Sequence, residues 1–351
     1  MMDRQRWLAL FASVLLLASL LVGCGGSSKY SSNSMTLNVV QTNNAPGFFP
    51  LYVALQEGFF KDQGLTLDPS APIQMGTGTI VTKALEAGDV EFVGGGLITD
   101  AFTLARVDSS IKLLGQLSTG YYVDIAVSKQ FEQQTHVSAQ SPLDEKVQKL
   151  KGKRIGVTVI GSGTWALVMY LFKREGLDPQ KDVTIVPVGV NSTGGLAALK
   201  NGTVDALSFF TPTAQQAAAQ GLGDVFISPL RGDVPEMQGQ VQGVFYTKQQ
   251  VINAKPQAVQ AFIRAIAQAE TFIHTNQAQT AVLLASFLKI PLAKAKPLLT
   301  LLLPAQAQTP VIDQQGYDAA NQFHVKAGLI SVPLPYKNLV ATDTMNKALS
   351  G

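Results

Sequence analysis

The chain has 351 residues, of which 27 are basic and 24 acidic, and its net charge of +3 is too balanced for a surface built to hold nucleic acid. That length is enough for two lobes, each with a core of its own. The single cysteine, Cys24, excludes a disulfide within the chain and a thiolate metal cluster.

Residues 1–23 place Arg4 and Arg6 ahead of an apolar run over 7–22, long enough for a signal sequence or a membrane anchor. Leu21-Val22-Gly23-Cys24 resembles the bacterial lipobox, whose cleavage leaves a lipid-modified cysteine at the new terminus; an uncleaved helix with a chance cysteine is the alternative. On the lipobox reading, 1–23 is a signal peptide, Cys24 is the lipid attachment site, and 24–34 is the acylated start of a small, polar, flexible tether. Ten such residues span about 16–19 Å, at roughly 5–6 Å times the square root of length, so the folded body sits close to a membrane. Loss of 1–23 removes Asp3, Arg4 and Arg6 and leaves a net charge of +2. Beyond Cys24 no stretch approaches the ~20 apolar residues of a span. The longest candidate, 281–303, is interrupted by Lys289, Pro291, Lys294, Lys296 and Pro297.

Residues 35–42 alternate like a strand and run into a polar, turn-rich loop over 41–47. The spacing predicts a helix over 48–60, then short strands at 65–68, 90–93 and 111–117 with helices at 79–87 and 98–106. Gly94-Gly95-Gly96 falls just past a strand, where glycines admit close approach of a backbone or a ligand, or simply make a flexible turn. The segment 121–128 reads as a strand leaving the first lobe, and polar 129–151 joins it to the second. Next comes 153–210, with two strand–loop–helix units and a third strand. Its β-branched 153–159 breaks at Gly161-Ser162-Gly163-Thr164 before a helix over 165–175, so unpaired N–H groups and a positive dipole end face a small, hydroxylated loop. A helix near 212–220, a strand at 225–228 and a return strand at 241–246 make a second crossing between lobes. Helices over 256–275, 280–288, 291–303, 314–327 and 342–349 are expected to pack on the first lobe.

Part of this pattern occurs twice. The run from Ala84 to Glu91 (ALEAGDVE) matches that from Ala198 to Asp205 (ALKNGTVD) at a spacing of 114 residues, and Thr79 falls on Thr193. So long a period, with strands alternating with helices, suits two similar α/β lobes facing one cleft.

Several motifs, in this order and spacing, give the chain a family likeness: PLYVALQEGFFKDQGL from Pro50 to Leu65, Ala84-Leu85 with Gly88-Asp89-Val90, LKGKRIGV from Leu150 to Val157, Gly176-Leu177-Asp178-Pro179, and Val204-Asp205-Ala206. Over about 36–265 the chain resembles the ABC-transporter solute-binding proteins of the nitrate/sulfonate/taurine and thiamine-precursor (pyrimidine) binding family, in lipoprotein form. The resemblance implies a two-lobed type II periplasmic-binding-protein fold with two crossovers and a ligand at the hinge. It implies no catalysis and no cofactor; its partners are a small-molecule ligand, permease transmembrane subunits and a cytoplasmic ATPase. The expected lobes are 35–125 plus 245–351 and 126–244, in a monomer on the periplasmic or extracytoplasmic face of a bacterial membrane.

By position at strand ends, the cleft should be lined by Asn43, Asn44, Phe48, Phe49, Gly95, Gly96, Ser162, Thr164, Trp165, Asn191 and Thr211. Amides and hydroxyls there supply directional hydrogen bonds, and the aromatics supply apolar walls. The loops 41–49, 94–99, 160–165, 189–195 and 209–213 contain no Lys or Arg, which leaves neutral heteroaromatics and small organic anions equally open. Gly161-Ser162-Gly163-Thr164-Trp165-Ala166 also fits the dinucleotide pattern G-x-G-x-x-A, but the next strand ends Val186-Pro187-Val188-Gly189 without the acid that would take ribose hydroxyls. The iron-dependent pyrimidine synthase of the same fold needs cysteines this chain lacks, and His136, His274 and His324 have no ligand spacing. A ligand sensor without a transport role is a further alternative.

Overall fold

Strand pairing in the computed structural model divides the chain into two five-stranded sheets, each covered by helices; the structure describes residues 34–351. The expected signal segment, Cys24 and all of the tether before Ser34 lie outside the described residues. The strands are β1 (Thr36–Leu37), β2 (Val39–Gln41), β3 (Thr66–Leu67), β4 (Ile73–Gln74), β5 (Phe92–Leu97), β6 (Ile111–Ser118), β7 (Val123–Ser128), β8 (Arg154–Val157), β9 (Thr184–Pro187), β10 (Ala206–Phe210), β11 (Gly223–Ile227) and β12 (Gly243–Lys248). The first sheet has the order β4-β2-β5-β12-β6 and the second β11-β7-β10-β8-β9. β1 and β3 form a small parallel pair apart from both.

The internal repeat reappears as topology. β4-β2-β5 and β9-β8-β10 are both parallel triplets in the same order, and helices Gly78–Ala87 and Ser192–Lys200 lead into β5 and β10. Both helices end on a left-handed glycine, Gly88 at φ 74° and Gly202 at φ 67°, where a side chain would be strained. Next to each triplet lies an antiparallel strand, β12 beside β5 and β7 beside β10. Thus the chain enters the second sheet through β7 and returns to the first through β12.

Helices on both faces explain why the inner strands read as apolar runs rather than alternating ones. Val39, Val40, Phe92, Val93 and Phe245 have no exposed surface. In the second sheet, period two sorts the side chains: Ile125 and Val127 pack under helix Gly163–Arg174, while Ala126, Leu207 and Phe209 face helices Ser192–Lys200 and Thr213–Ala219. The polar joining segment is not irregular, because it folds into helices Lys129–Thr135 and Leu143–Lys149.

Helix Gln314–Ala327 departs from expectation. It was expected on the first lobe, but it carries two apolar faces and lies across the junction. Phe323 and Ala327 belong to the core of the second sheet, with Phe323 4.9 Å from the Tyr121 ring and 5.0 Å from the Tyr170 ring. Tyr317 and His324 pack edge-on against Phe102 of helix Ile98–Ala105 under the first sheet, at 5.4 and 5.2 Å. His324 is fully buried, and its Nε2 lies 2.7 Å from the Thr99 hydroxyl.

Burial holds the His324 imidazole down to about 4 from its ordinary value of 6.5, against the hydrogen bond to the Ala320 carbonyl, which acts the other way. A depressed histidine pKa means that the unfolded chain takes up a proton first, so stability falls as pH drops from 6.5 towards 4, by up to about 3 kcal/mol. Urea midpoints at pH 7.5 and 4.5 should show this loss in the wild type and a shallower one in His324→Gln. Equal slopes in the two proteins would remove the buried neutral histidine from the account.

Candidate ligand-binding cleft

The loops that leave the carboxyl ends of β2, β5, β8, β9 and β10 meet between the two sheets. An inner cavity of about 60 Å³ is bounded by Asn43 and 76–79 from the first sheet's side, by Leu97 and Asp100, and by 158–163 from the second sheet's side. An outer cavity of about 350 Å³ continues it past Asn44, Ser192, Thr211 and Lys289. Asn43, Val190 and Phe210 line both, so the two make one cleft.

The β8 loop is held rigidly by its own side chains. Ser162 caps helix Gly163–Arg174, its Oγ accepting from the Trp165 N–H at 3.3 Å and donating to the Val159 carbonyl at 2.8 Å. Thr158, Ser162 and Thr164 hydroxyls close a triangle with sides of 2.8–3.0 Å. Gly161 sits at φ 83° to turn the chain, and the Tyr121 hydroxyl donates to the Gly163 carbonyl at 2.7 Å. At the other end, the Thr211 hydroxyl donates to Asp124 Oδ2 at 2.8 Å and Gln215 Nε2 donates to the same oxygen at 3.0 Å. Asp124 is fully buried, and burial raises its carboxyl pKa against the lowering hydrogen bonds from Ser228, Gln215 and Thr211.

Of the residues expected at the cleft, Asn43, Asn44, Ser162 and Thr211 line it. The structure does not bring the others there. Phe48 and Phe49 are each 1% exposed and belong to the core, Phe49 against Tyr52 and Phe287. Gly95 and Gly96 are inside β5 rather than past it: a Cβ at Gly95 would lie 3.1 Å from Gln41 and one at Gly96 2.8 Å from the Tyr246 ring, so they make room for core packing. Thr164 is fully buried in its hydroxyl triangle, and Trp165 packs on the second-sheet core. Asn191 is exposed and caps helix Ser192–Lys200, its Oδ1 accepting from the Thr193 N–H at 3.0 Å. The aromatic wall is Phe210 at the end of β10, a residue that its strand-end position alone would have nominated.

The main residue missed is Asp100. It stands in the first turn of helix Ile98–Ala105, one residue past the 94–99 loop, where an acid is ordinarily a cap. Its Oδ2 does accept from the Leu97 N–H, but at 3.4 Å. The carboxyl fills the space in front of Gly78, where a Cβ would come within 1.9 Å of Oδ1. Burial pushes its pKa up to about 7, partly offset by the Leu97 N–H.

Three helix N-termini, at Gly78, Ile98 and Gly163, face the inner cavity and favour negative charge by about 0.3–1 kcal/mol each. An ionised Asp100 about 4 Å from an anion opposes it by about 4 kcal/mol at an effective dielectric constant near 20. The carboxylate therefore outweighs the dipoles, one of which, at Ile98, it already caps. Among the described residues no Lys, Arg or His lines the inner cavity, and Lys289, exposed at the end of helix Gln277–Leu288, is the one cation on the outer wall.

With the site in place, comparisons with known proteins fix the family. The NMT1-like family matches residues 31–288. The chain belongs to that family. YtlA of Bacillus subtilis strain 168, named as a binding protein, is 24% identical over 281 residues, covering 78% of this chain and 77% of its own. The alkanesulfonate-binding protein SsuA of Xanthomonas axonopodis pv. citri, solved with MOPS, is similar at a TM-score of 0.66 and 20% identity over 89% of this chain and all (100%) of its own. The enzyme DszB, solved with biphenyl-2-sulfinic acid, shares the fold at a TM-score of 0.65 and 17% identity over 90% of this chain and 99% of its own. The NMT1-like chain thus has the two-lobed periplasmic-binding-protein fold, a fold that also carries an enzyme.

The contact between Gly78 and Asp100 is testable by a double-mutant cycle. Gly78→Ala alone should destabilise the protein by about 1–3 kcal/mol through overpacking. In an Asp100→Ala background the same substitution should be neutral or stabilising, as expected at a helix start with an open neighbour. Equal costs in both backgrounds would separate the two residues.

Proposed function

We propose that this chain is the extracytoplasmic solute-binding lipoprotein of an ABC importer, capturing a small organic molecule between its lobes and delivering it to permease subunits served by a cytoplasmic ATPase. The observation that carries this reading is the cleft itself: one lining drawn from the strand ends of two sheets joined by two crossings, rich in backbone, amide and hydroxyl groups. The two sheets with their helices are the lobes, helix Gln314–Ala327 packing on both, and a monomer suffices because both halves of the site come from one chain. Solute binding shifts a hinge equilibrium toward the closed form that docks on the permease. Cys24 carries the lipid that keeps the protein at the membrane surface.

Binding is favoured over catalysis by how the cleft hydroxyls are used. Ser162 and Thr164 hold the β8 loop, Thr211 is tied to Asp124, and among the described residues no hydrogen-bonded nucleophile–base pair stands free in the lining. The fold shared with SsuA supports an organic solute of the sulfonate class, with thiamine-pyrimidine-like ones as the alternative that the sequence resemblance implies.

The test is a thermal-shift titration against alkanesulfonates, taurine, nitrate, bicarbonate, thiamine pyrimidines and flavins. A saturable rise in melting temperature with one class is expected, near 2.7 kcal/mol of added stability at about 100 times Kd. A cooperative melt that no compound shifts would count against solute capture. For the anchor, Cys24→Ala should move the protein from the membrane fraction to the soluble one without changing affinity; an unchanged membrane fraction would refute lipidation.

A further inference from the structure

We propose that Asp100 selects the solute by charge, and that the inner cavity receives a protonated amine or amidine carried by the captured molecule. This rests on the solute-binding reading and narrows it to one class of head group.

Two acceptors on the wall of the inner cavity are poorly partnered within the protein. Among the described residues Asp100 has no ion-pair partner, and the long 3.4 Å bond from the Leu97 N–H is the one hydrogen bond its side chain makes. The Asn43 Oδ1, on the wall of the same cavity, is buried with no partner. The Tyr246 hydroxyl, which is not part of the cavity lining, is also buried and unpaired, and the Asp100 charge acts on it. Buried acceptors in folded proteins are almost always satisfied. An ammonium group presents three N–H donors and an amidinium four, together with the charge that a half-buried carboxylate without an ion-pair partner lacks.

Size agrees with charge. The inner cavity has room for a head group of a few heavy atoms, and the larger outer cavity, with the Phe210 ring on its wall, takes the remainder of the molecule. An acidic group on that remainder would extend toward Lys289, the cation on the outer wall. Gly78 keeps the carboxylate in place by leaving no Cβ in its way.

The protonation state of Asp100 supplies an independent readout. Its carboxyl is poised near 7 and its charge acts on buried Tyr246; among the described residues no other titratable group lines the inner cavity. A cationic head group favours the ionised carboxylate, so binding releases protons between pH 6 and 8. A neutral or anionic head group does not.

The experiment uses the detergent-solubilised full chain and matched pairs: propanesulfonate with 3-aminopropanesulfonate, and benzoate with 4-amidinobenzoate. Calorimetry at pH 7 in buffers of different ionisation enthalpy should show at least tenfold tighter binding of the aminated partner with proton release. Asp100→Asn should erase both the preference and the proton release, while Asp100→Glu restores part of each. Equal or tighter binding of the amine-free partner overturns the inference but leaves solute capture standing, as does a preference that survives Asp100→Asn. Silence in both series also overturns it, and solute capture is then decided by the broader panel. The wild-type pairs alone decide the matter where the Asn variant does not fold.

Discussion

The cleft depends on how the two crossing segments are held together. Gln242, just before β12, accepts from the Tyr122 N–H through its side-chain Oε1 at 2.6 Å, and its own N–H donates to the Ser118 carbonyl at 3.1 Å. Ser118 Oγ accepts in turn from the Gly243 N–H at 2.9 Å. Gly243 is required at that point, because a Cβ there would lie 2.4 Å from the Gly47 carbonyl oxygen and 2.6 Å from Ser118 Oγ. Gln306 extends the network, donating to the Pro46 carbonyl at 3.1 Å and the Tyr122 hydroxyl at 2.8 Å. These bonds are buried, where an unmade partner costs about 1–3 kcal/mol, so the crossings are fixed relative to one another. The strand ends on either side are thereby aimed at one space.

Much of the architecture was legible because it rests on local rules. Gly88 and Gly202 stop a helix where only a left-handed residue continues into a strand, and their spacing revealed the duplicated triplet before any pairing was known. Helices Pro256–Thr275, Gln314–Ala327 and Thr342–Leu349 have the bounds their periodicity predicts. The packing partners of Gln314–Ala327 were hidden, because periodicity locates an apolar face but not its neighbour. Phe323 and His324 are adjacent in sequence, yet point to different cores.

The site was legible only in part, and the misses share a cause. Three consecutive glycines look like a loop until Val39, Gln41 and Tyr246 are seen pressed against the places their side chains would take. Phe48 and Phe49 sit in a loop-like stretch, but burial of an aromatic pair is worth more in the core than on a wet wall. Ser162 and Asn191 stand at the expected strand ends, and both are helix caps; Ser162 still faces the cavity and Asn191 does not. Asp100 carries the opposite lesson, since its first-turn position suggests a cap while its weak 3.4 Å bond leaves the carboxylate free to face the cleft.

The division of labour between the sheets gives the cleft its selectivity. The first sheet's side contributes Asn43 and Asp100, fixed acceptors set on the end of β2 and the start of helix Ile98–Ala105. The second contributes a loop locked by its own hydroxyls, together with Phe210 and Thr211, the latter anchored on buried Asp124. Neither side alone encloses the inner cavity. A head group bound there must therefore touch both, and its free energy of binding is gained only when both are in place, which is the condition for a ligand to bias a hinge. A solute that touched one side alone would bind the open and closed forms equally and shift nothing, however tightly it was held. Placing the unpaired carboxylate in the inner cavity makes the discriminating contact and the closing contact the same one.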